Sequence, residues 1–265
     1  MDMLKDYPLL RTDSYAKIFL YNTHETVACV PRHIIRMRDK VKPDKLQQAV
    51  EQALLRFPHM ILGVEATDKG FRYRPNVLPP VVLPFDGVEK RYTIGSPDTH
   101  GYLFLVGYQD NTITMEYQHS ISDGRGFEEF IRCVLFQYLT LCGYPVENDG
   151  SVRGMDTRWS PAESEDGYKQ LADQEFSPAG IWKKPEASHA WDLTDKGDGP
   201  EIVTDVTFPF EQLHSYGKSI GVSPLSIVAP LLMRAFDKKY GGPDKPVISQ
   251  IPVDLRPLLT SATTR

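Results

Sequence analysis

Hydrophobic positions along the chain follow two rhythms, and the switches between them lay out the elements. Leu46, Ala49, Val50, Ala53, Leu54 and Phe57 recur at helical spacing. A helix is therefore predicted from Pro43-Asp44-Lys45 to the stop at Pro58. A second helical stripe runs through Phe127, Phe130, Ile131, Val134, Leu135, Tyr138 and Leu139 and closes at Gly143. After a short helix over residues 211–220, a third stripe joins Leu225, Val228, Leu231, Leu232, Ala235 and Phe236. Ser223 and Pro224 supply its cap and first turn, and Gly241-Gly242-Pro243 stop it.

The other rhythm is that of strands. Residues 15–21 and 26–37 carry β-branched and aromatic residues in runs of strand length. Residues 60–67 and 71–74 flank Asp68-Lys69-Gly70, a hairpin turn. A second hairpin joins residues 102–108 to 112–118 through Asp110-Asn111. Further on, Ile202, Val206, Phe208 and Phe210 alternate as in a strand, and residues 247–253 form another. Between these elements, residues 77–97 are proline-rich and irregular.

From residue 147 to 199 both rhythms fade, as Pro, Gly, Asp, Glu and Ser accumulate. Only a patch such as 168–176 has helical character there, and Trp159, Trp182 and Trp191 are expected to pin the segment to the body. The division that follows is a first lobe over 1–146, an irregular crossover over 147–199, and the start of a second lobe over 200–265.

Composition changes this picture only at the margins. With 265 residues, 41% of them hydrophobic, the chain can bury a large core. The net charge of -5 argues against a dedicated nucleic-acid binder. Its basic cluster, residues 32–42, is interrupted by Ile34, Ile35, Met37 and Val41, as in a strand with a charged outer face. Cys29, Cys133 and Cys142 have no metal-like spacing and are expected to be reduced thiols of a cytoplasmic protein. The N-terminus does not read as a signal peptide, and the apolar run 225–233 is too short to span a membrane.

Chemistry concentrates in Gln118-His119-Ser120-Ile121-Ser122-Asp123-Gly124, between a predicted strand and a predicted helix. An imidazole at such a turn can take a proton from an alcohol or amine and return it. Asp123 can fix the loop as a helix cap. A metal site on His119 and Asp123 would need a third ligand, which no spacing supplies. The one GxSxG match, Gly217 to Gly221, falls on the predicted helix over 211–220 and not at a strand-to-helix elbow, and the chain has no phosphate-binding glycine loop. Histidines 24, 33, 59, 100, 189 and 214 are scattered, as expected of solvated or satisfied positions.

His119-Ser120-Ile121-Ser122-Asp123-Gly124 resembles the HxxxDG signature of the chloramphenicol-acetyltransferase-like superfamily, which includes alcohol acetyltransferases and peptide condensation domains. Gly221-Val222-Ser223-Pro224-Leu225 is similar to the segment opening those proteins' second lobe. Val253-Asp254-Leu255-Arg256-Pro257 resembles their NLRP-type motif. The resemblance implies an α/β (α+β) sandwich, a mixed sheet with packed helices, followed by a partial second lobe.

It also implies an acyltransferase with His119 as general base. Asp123 would be structural and paired with Arg256, and Gly124 would border the channel for a pantetheine arm. The co-substrate would be an acyl-CoA or phosphopantetheine thioester, with no permanently bound cofactor. The acceptor would be a small alcohol or amine, and an acyl carrier protein is a further candidate partner.

Two departures stand out. Condensation domains carry a second histidine where this chain has Gln118, which favours the alcohol-acetyltransferase side. The second lobe is short and has no DFGWG-like motif. The chain is therefore expected to be a fragment, or to complete its site by self-association or with a partner. The alternatives to an acyltransferase are a non-catalytic interaction module of this fold and a condensation-type amide-forming domain.

Overall fold

The computed structural model describes residues 12–23, 29–85, 92–167, 206–241, 247, 249, 251–259 and 261–265. The chain divides into two units, residues 1–174 with 254–265, and residues 175–253.

The first unit is built on a four-stranded mixed sheet in the order β1-β6-β5-β4. These are β1 (Arg32–Arg36), β4 (Val82–Pro84), β5 (Phe104–Gln109) and β6 (Thr112–Tyr117), while β2 (Leu62–Thr67) and β3 (Gly70–Pro75) form a separate hairpin. β5 and β6 pair antiparallel with Phe104 opposite Tyr117, Val106 opposite Met115 and Tyr108 opposite Ile113. Alternation therefore gives these six side chains one face of the sheet. Helices α2 (Pro43–Arg56) and α3 (Gly124–Leu141) pack with this face around one core. Leu46, Ala49, Val50 and Ala53 of α2 are fully buried, as are Phe127, Phe130 and Val134 of α3. Phe130 meets Phe57 and Phe104 edge-on, with ring centroids 5.7 and 5.2 Å away.

Several elements depart from the sequence reading. Residues 15–21 form not a strand but most of helix α1 (Ser14–Asn22). Asp13 caps it, its Oδ1 accepting from the Ala16 amide at 2.6 Å, and Ala16 and Leu20 bury one face four residues apart. The irregular stretch 77–97 contains β4, which runs parallel to β5. Gln47 of α2 anchors it, accepting from the Val82 amide and donating to the Pro80 carbonyl.

The second unit contains α4 (Phe210–Ile220) and α5 (Pro224–Tyr240). Ser223 caps α5 through the Ser226 amide, and Gly221 ends α4 in the left-handed region at φ 74°. The described parts of the two strands expected around these helices, Val206 to Pro209 and Ile251 to Val253, are not strands. Val206, Phe208 and Val253 are exposed, and a strand needs a neighbour to take its backbone hydrogen bonds. No single described helix is long and apolar enough to cross a membrane. The pair α4 and α5, bent by 95° at its break, matches a span in length and composition only. Trp182, Trp191, His24, His189, the patch 168–176 and the proposed boundary at 199 lie outside the described residues.

Candidate active site

The loop between β6 and α3 is held by its own polar groups. The Gln118 amide donates to the Leu103 carbonyl at 2.8 Å, and the buried Gln118 side chain accepts from the Ser120 amide at 2.6 Å. Tyr73 reaches across from β3 and donates its hydroxyl to the Ser120 carbonyl at 2.5 Å. Asp123 then caps α3, its Oδ1 accepting from the Gly126 amide at 2.8 Å.

Asp123 meets Arg256 in a two-pronged pair. Nη2 donates to Oδ1 and Nη1 to Oδ2, both at 2.8 Å. Between the cap and the guanidinium both carboxylate oxygens are taken. Arg256 is held in turn by Asp254, at 3.0 Å, and by the Thr263 carbonyl, at 2.6 Å. Half-burial pulls the Arg256 pKa down, but its bonds to Asp123 and Asp254 outweigh this and leave it above the ordinary value.

Residues 261–265 form a strap behind the loop. Ser122 donates its hydroxyl to the Thr264 carbonyl at 2.6 Å. The strap lies so close to α3 that a Cβ on Gly126 would come within 2.1 Å of that carbonyl oxygen. A Cβ on Gly124 would make only ordinary contact, 3.8 Å from the Tyr117 hydroxyl. Thr264 also bonds the Glu163 carbonyl through its amide, at 2.7 Å, and its hydroxyl, at 3.0 Å. Glu163 pairs with the buried Arg56 through two bonds of 2.9 and 3.2 Å.

His119 sits differently. Its amide donates to the Cys29 carbonyl at 3.3 Å, and its ring is surrounded by aromatic ones. Phe19 of α1 stacks on it at 4.2 Å between centroids and 4° between planes. Tyr15 meets the imidazole edge-on at 5.7 Å and Tyr117 at a tilt at 5.6 Å. Nδ1 is buried and, among the described residues, has no hydrogen-bond partner. Both Asp123 oxygens are turned to Arg256 and the Gly126 amide, and among the described residues neither bonds the imidazole.

Cys29 and Cys133 are poor nucleophiles. Burial raises the Cys29 pKa and pushes Cys133 up to about 12, so both stay protonated near neutrality.

His119, Asp123, Gly124 and Arg256 all lie in the first unit, on the loop, at the start of α3 and at the start of the short helix α6 (Arg256–Leu259). The sequence reading omitted Tyr15, Phe19 and Thr264. Tyr15 and Phe19 stand four residues apart, a helical signal masked by reading 15–21 as a strand. Thr264 carries no local signal at all.

No protein-family model matches the chain, and no curated protein matches it. Among solved structures, it is similar to polyketide synthase associated protein 5 from Mycobacterium tuberculosis. The TM-score is 0.57 at 16% identity, over 94% of this chain and 62% of that one. The starter condensation domain of rhizomide synthetase RzmA aligns over 51% of this chain and 38% of its own, with TM-score 0.37 and 18% identity. The X-domain from teicoplanin biosynthesis aligns over 52% and 34%, with TM-score 0.41 and 9% identity. The chain thus spans less than two thirds of the length of each. Of these, the first establishes a shared fold, a mixed sheet with packed helices of the chloramphenicol-acetyltransferase-like kind.

Proposed function

We propose that the chain is the histidine-bearing part of an acyltransferase that moves an acyl group from a thioester donor to an alcohol or amine. The observation that carries this reading is the division of labour in the loop. Arg256 and the α3 amide engage both oxygens of Asp123, and Nε2 of His119 has no hydrogen-bond partner among the described residues. An aspartate so engaged holds the loop and does not relay protons, which leaves His119 as the general base.

The reaction needs no covalent acyl-enzyme. Nε2 takes the acceptor's O–H or N–H proton as the heteroatom attacks the thioester carbonyl. The tetrahedral intermediate collapses with cleavage of the C–S bond, and the departing thiolate takes the proton back from the imidazolium. The products are an ester or amide and a free thiol. The donor is an acyl-CoA or a carrier-protein pantetheine thioester, and Gly124, which crowds nothing, borders its arm. The described cysteines are unpaired, which fits a reducing compartment such as the cytoplasm.

The test is free-thiol release from acetyl-CoA, a longer acyl-CoA and a carrier-bound thioester, each with a panel of alcohols and amines. Acceptor-dependent release from this chain that disappears in His119→Ala supports the reading. Equal release from both proteins, or none from either with any donor, sinks it.

A further inference from the structure

A histidine acting through Nε2 is ordinarily oriented by a hydrogen bond that its other ring nitrogen donates to a carboxylate or a carbonyl. His119 lacks that bond, since Nδ1 is buried without a partner among the described residues. Asp123 does not supply one: its oxygens are engaged by Arg256 and the Gly126 amide. Something else must stop the imidazole from turning about its last torsion, which for histidine is broad and weakly preferred.

We infer that Phe19, backed by Tyr15, is the positioning residue that fixes the His119 imidazole plane. The two rings are almost parallel, 4° apart, and their centroids are 4.2 Å apart. Rotation of the imidazole would drive its edge into the phenyl face. Tyr15 locks Phe19 from the side, edge-on at 4.9 Å, and also meets His119 edge-on. Tyr117 bounds the imidazole as well. Tyr15 and Phe19 can serve one ring because they stand four apart on α1, whose Asp13 cap and buried Ala16 and Leu20 hold the helix in place. A nonpolar clamp leaves the proton on Nδ1 without an acceptor, so the ring plane is set by shape and not by charge.

The inference rests on His119 as the base, but its test can fail independently of that reading. Phe19→Leu and Phe19→Tyr are compared with the unaltered chain by thiol release and by NMR of the histidine rings. His119 resonances are assigned by their loss in His119→Ala. The stacked phenyl should displace the His119 ring protons upfield in the unaltered chain and in Phe19→Tyr.

In Phe19→Leu that displacement should vanish, and the signals should broaden or split as the ring gains a second orientation. Turnover kcat should fall between about tenfold and a hundredfold with KM changed less than about threefold, and Tyr at position 19 should restore it. An unaltered chain with no upfield displacement overturns the inference, whether or not it is active. So does Phe19→Leu with unchanged kcat, or with KM raised and kcat kept, which would make Phe19 a substrate-binding surface. If no donor is turned over, the acyltransferase reading fails. Sharp, displaced His119 signals that split in Phe19→Leu would then still support the clamp.

Discussion

His59 and His119 are a matched pair with opposite fates. Each buries its Nδ1 without a hydrogen-bond partner among the described residues. The difference lies at the other nitrogen. Nε2 of His59 is 3.0 Å from the Thr264 hydroxyl, which itself donates to the Glu163 carbonyl, so His59 is the donor to Thr264. The ring is 1% exposed and holds the strap behind the loop. His119 is half-buried between aromatic rings, and its Nε2 has no hydrogen-bond partner among the described residues. Burial alone does not mark a working histidine. What separates the two is whether the second nitrogen is already in use.

The sharpest break of this comparison is His119→Ala against His59→Ala. Loss of a general base is expected to lower kcat by about a hundredfold to ten-thousandfold, with the unfolding midpoint in urea almost unchanged. His59→Ala should do the reverse, lowering the urea midpoint while the remaining folded protein keeps its turnover. Swapped outcomes would end the assignment of both residues.

Acid separates them next. Burial pushes the His59 pKa down to about 3, and the positive charges of Arg265, Arg56 and Arg153 add to this. Unfolded, the same ring titrates near 6.5. Between these values the unfolded chain binds the extra proton. His59 therefore favours folding fully above about 6.5, and that contribution is lost as the pH falls toward about 3. Relative to His59→Gln, the unaltered chain should lose on the order of 2–3 kcal/mol more stability between pH 7 and pH 4.5. Urea unfolding at the two pH values measures it, and parallel losses would contradict a neutral buried His59.

Gly126→Ala tests whether the strap supports the loop. The added methyl would meet the Thr264 carbonyl, and the conflict should cost about 2 kcal/mol. The site loop should loosen with it, read as faster amide exchange at Ser122 and Asp123. The mildest change is Arg256→Lys, which keeps the charge but loses the fork that spans both Asp123 oxygens. A loss of about 1 kcal/mol is expected, because the pair is partly exposed and the Asp123 cap remains. Activity should fall more than stability if the pair's main effect is to hold the loop.

Much of this was legible in the residues themselves. Helix α2 and helix α3 follow from apolar spacing that tertiary contacts reinforce, and the β5–β6 hairpin follows from alternation around Asp110-Asn111. The loop with His119 and Asp123 stands out because chemistry-bearing residues crowd a strand-to-helix turn. The pairing of Asp123 with Arg256, 133 residues away, came from a motif resemblance, since no local spacing reveals it.

Other features required the assembled chain. Residues 15–21 have the composition of a strand, and only the Asp13 cap and the burial of Ala16 and Leu20 decide for a helix. β4 is three residues long and exists because β5 and Gln47 take its backbone bonds. The contact between Ser122 and Thr264 spans 142 residues, and the stack of Phe19 on His119 joins a helix to a distant loop. Periodicity along a chain records which face of an element is apolar. It carries no record of which distant group will meet that face, because that is set only when the elements pack together.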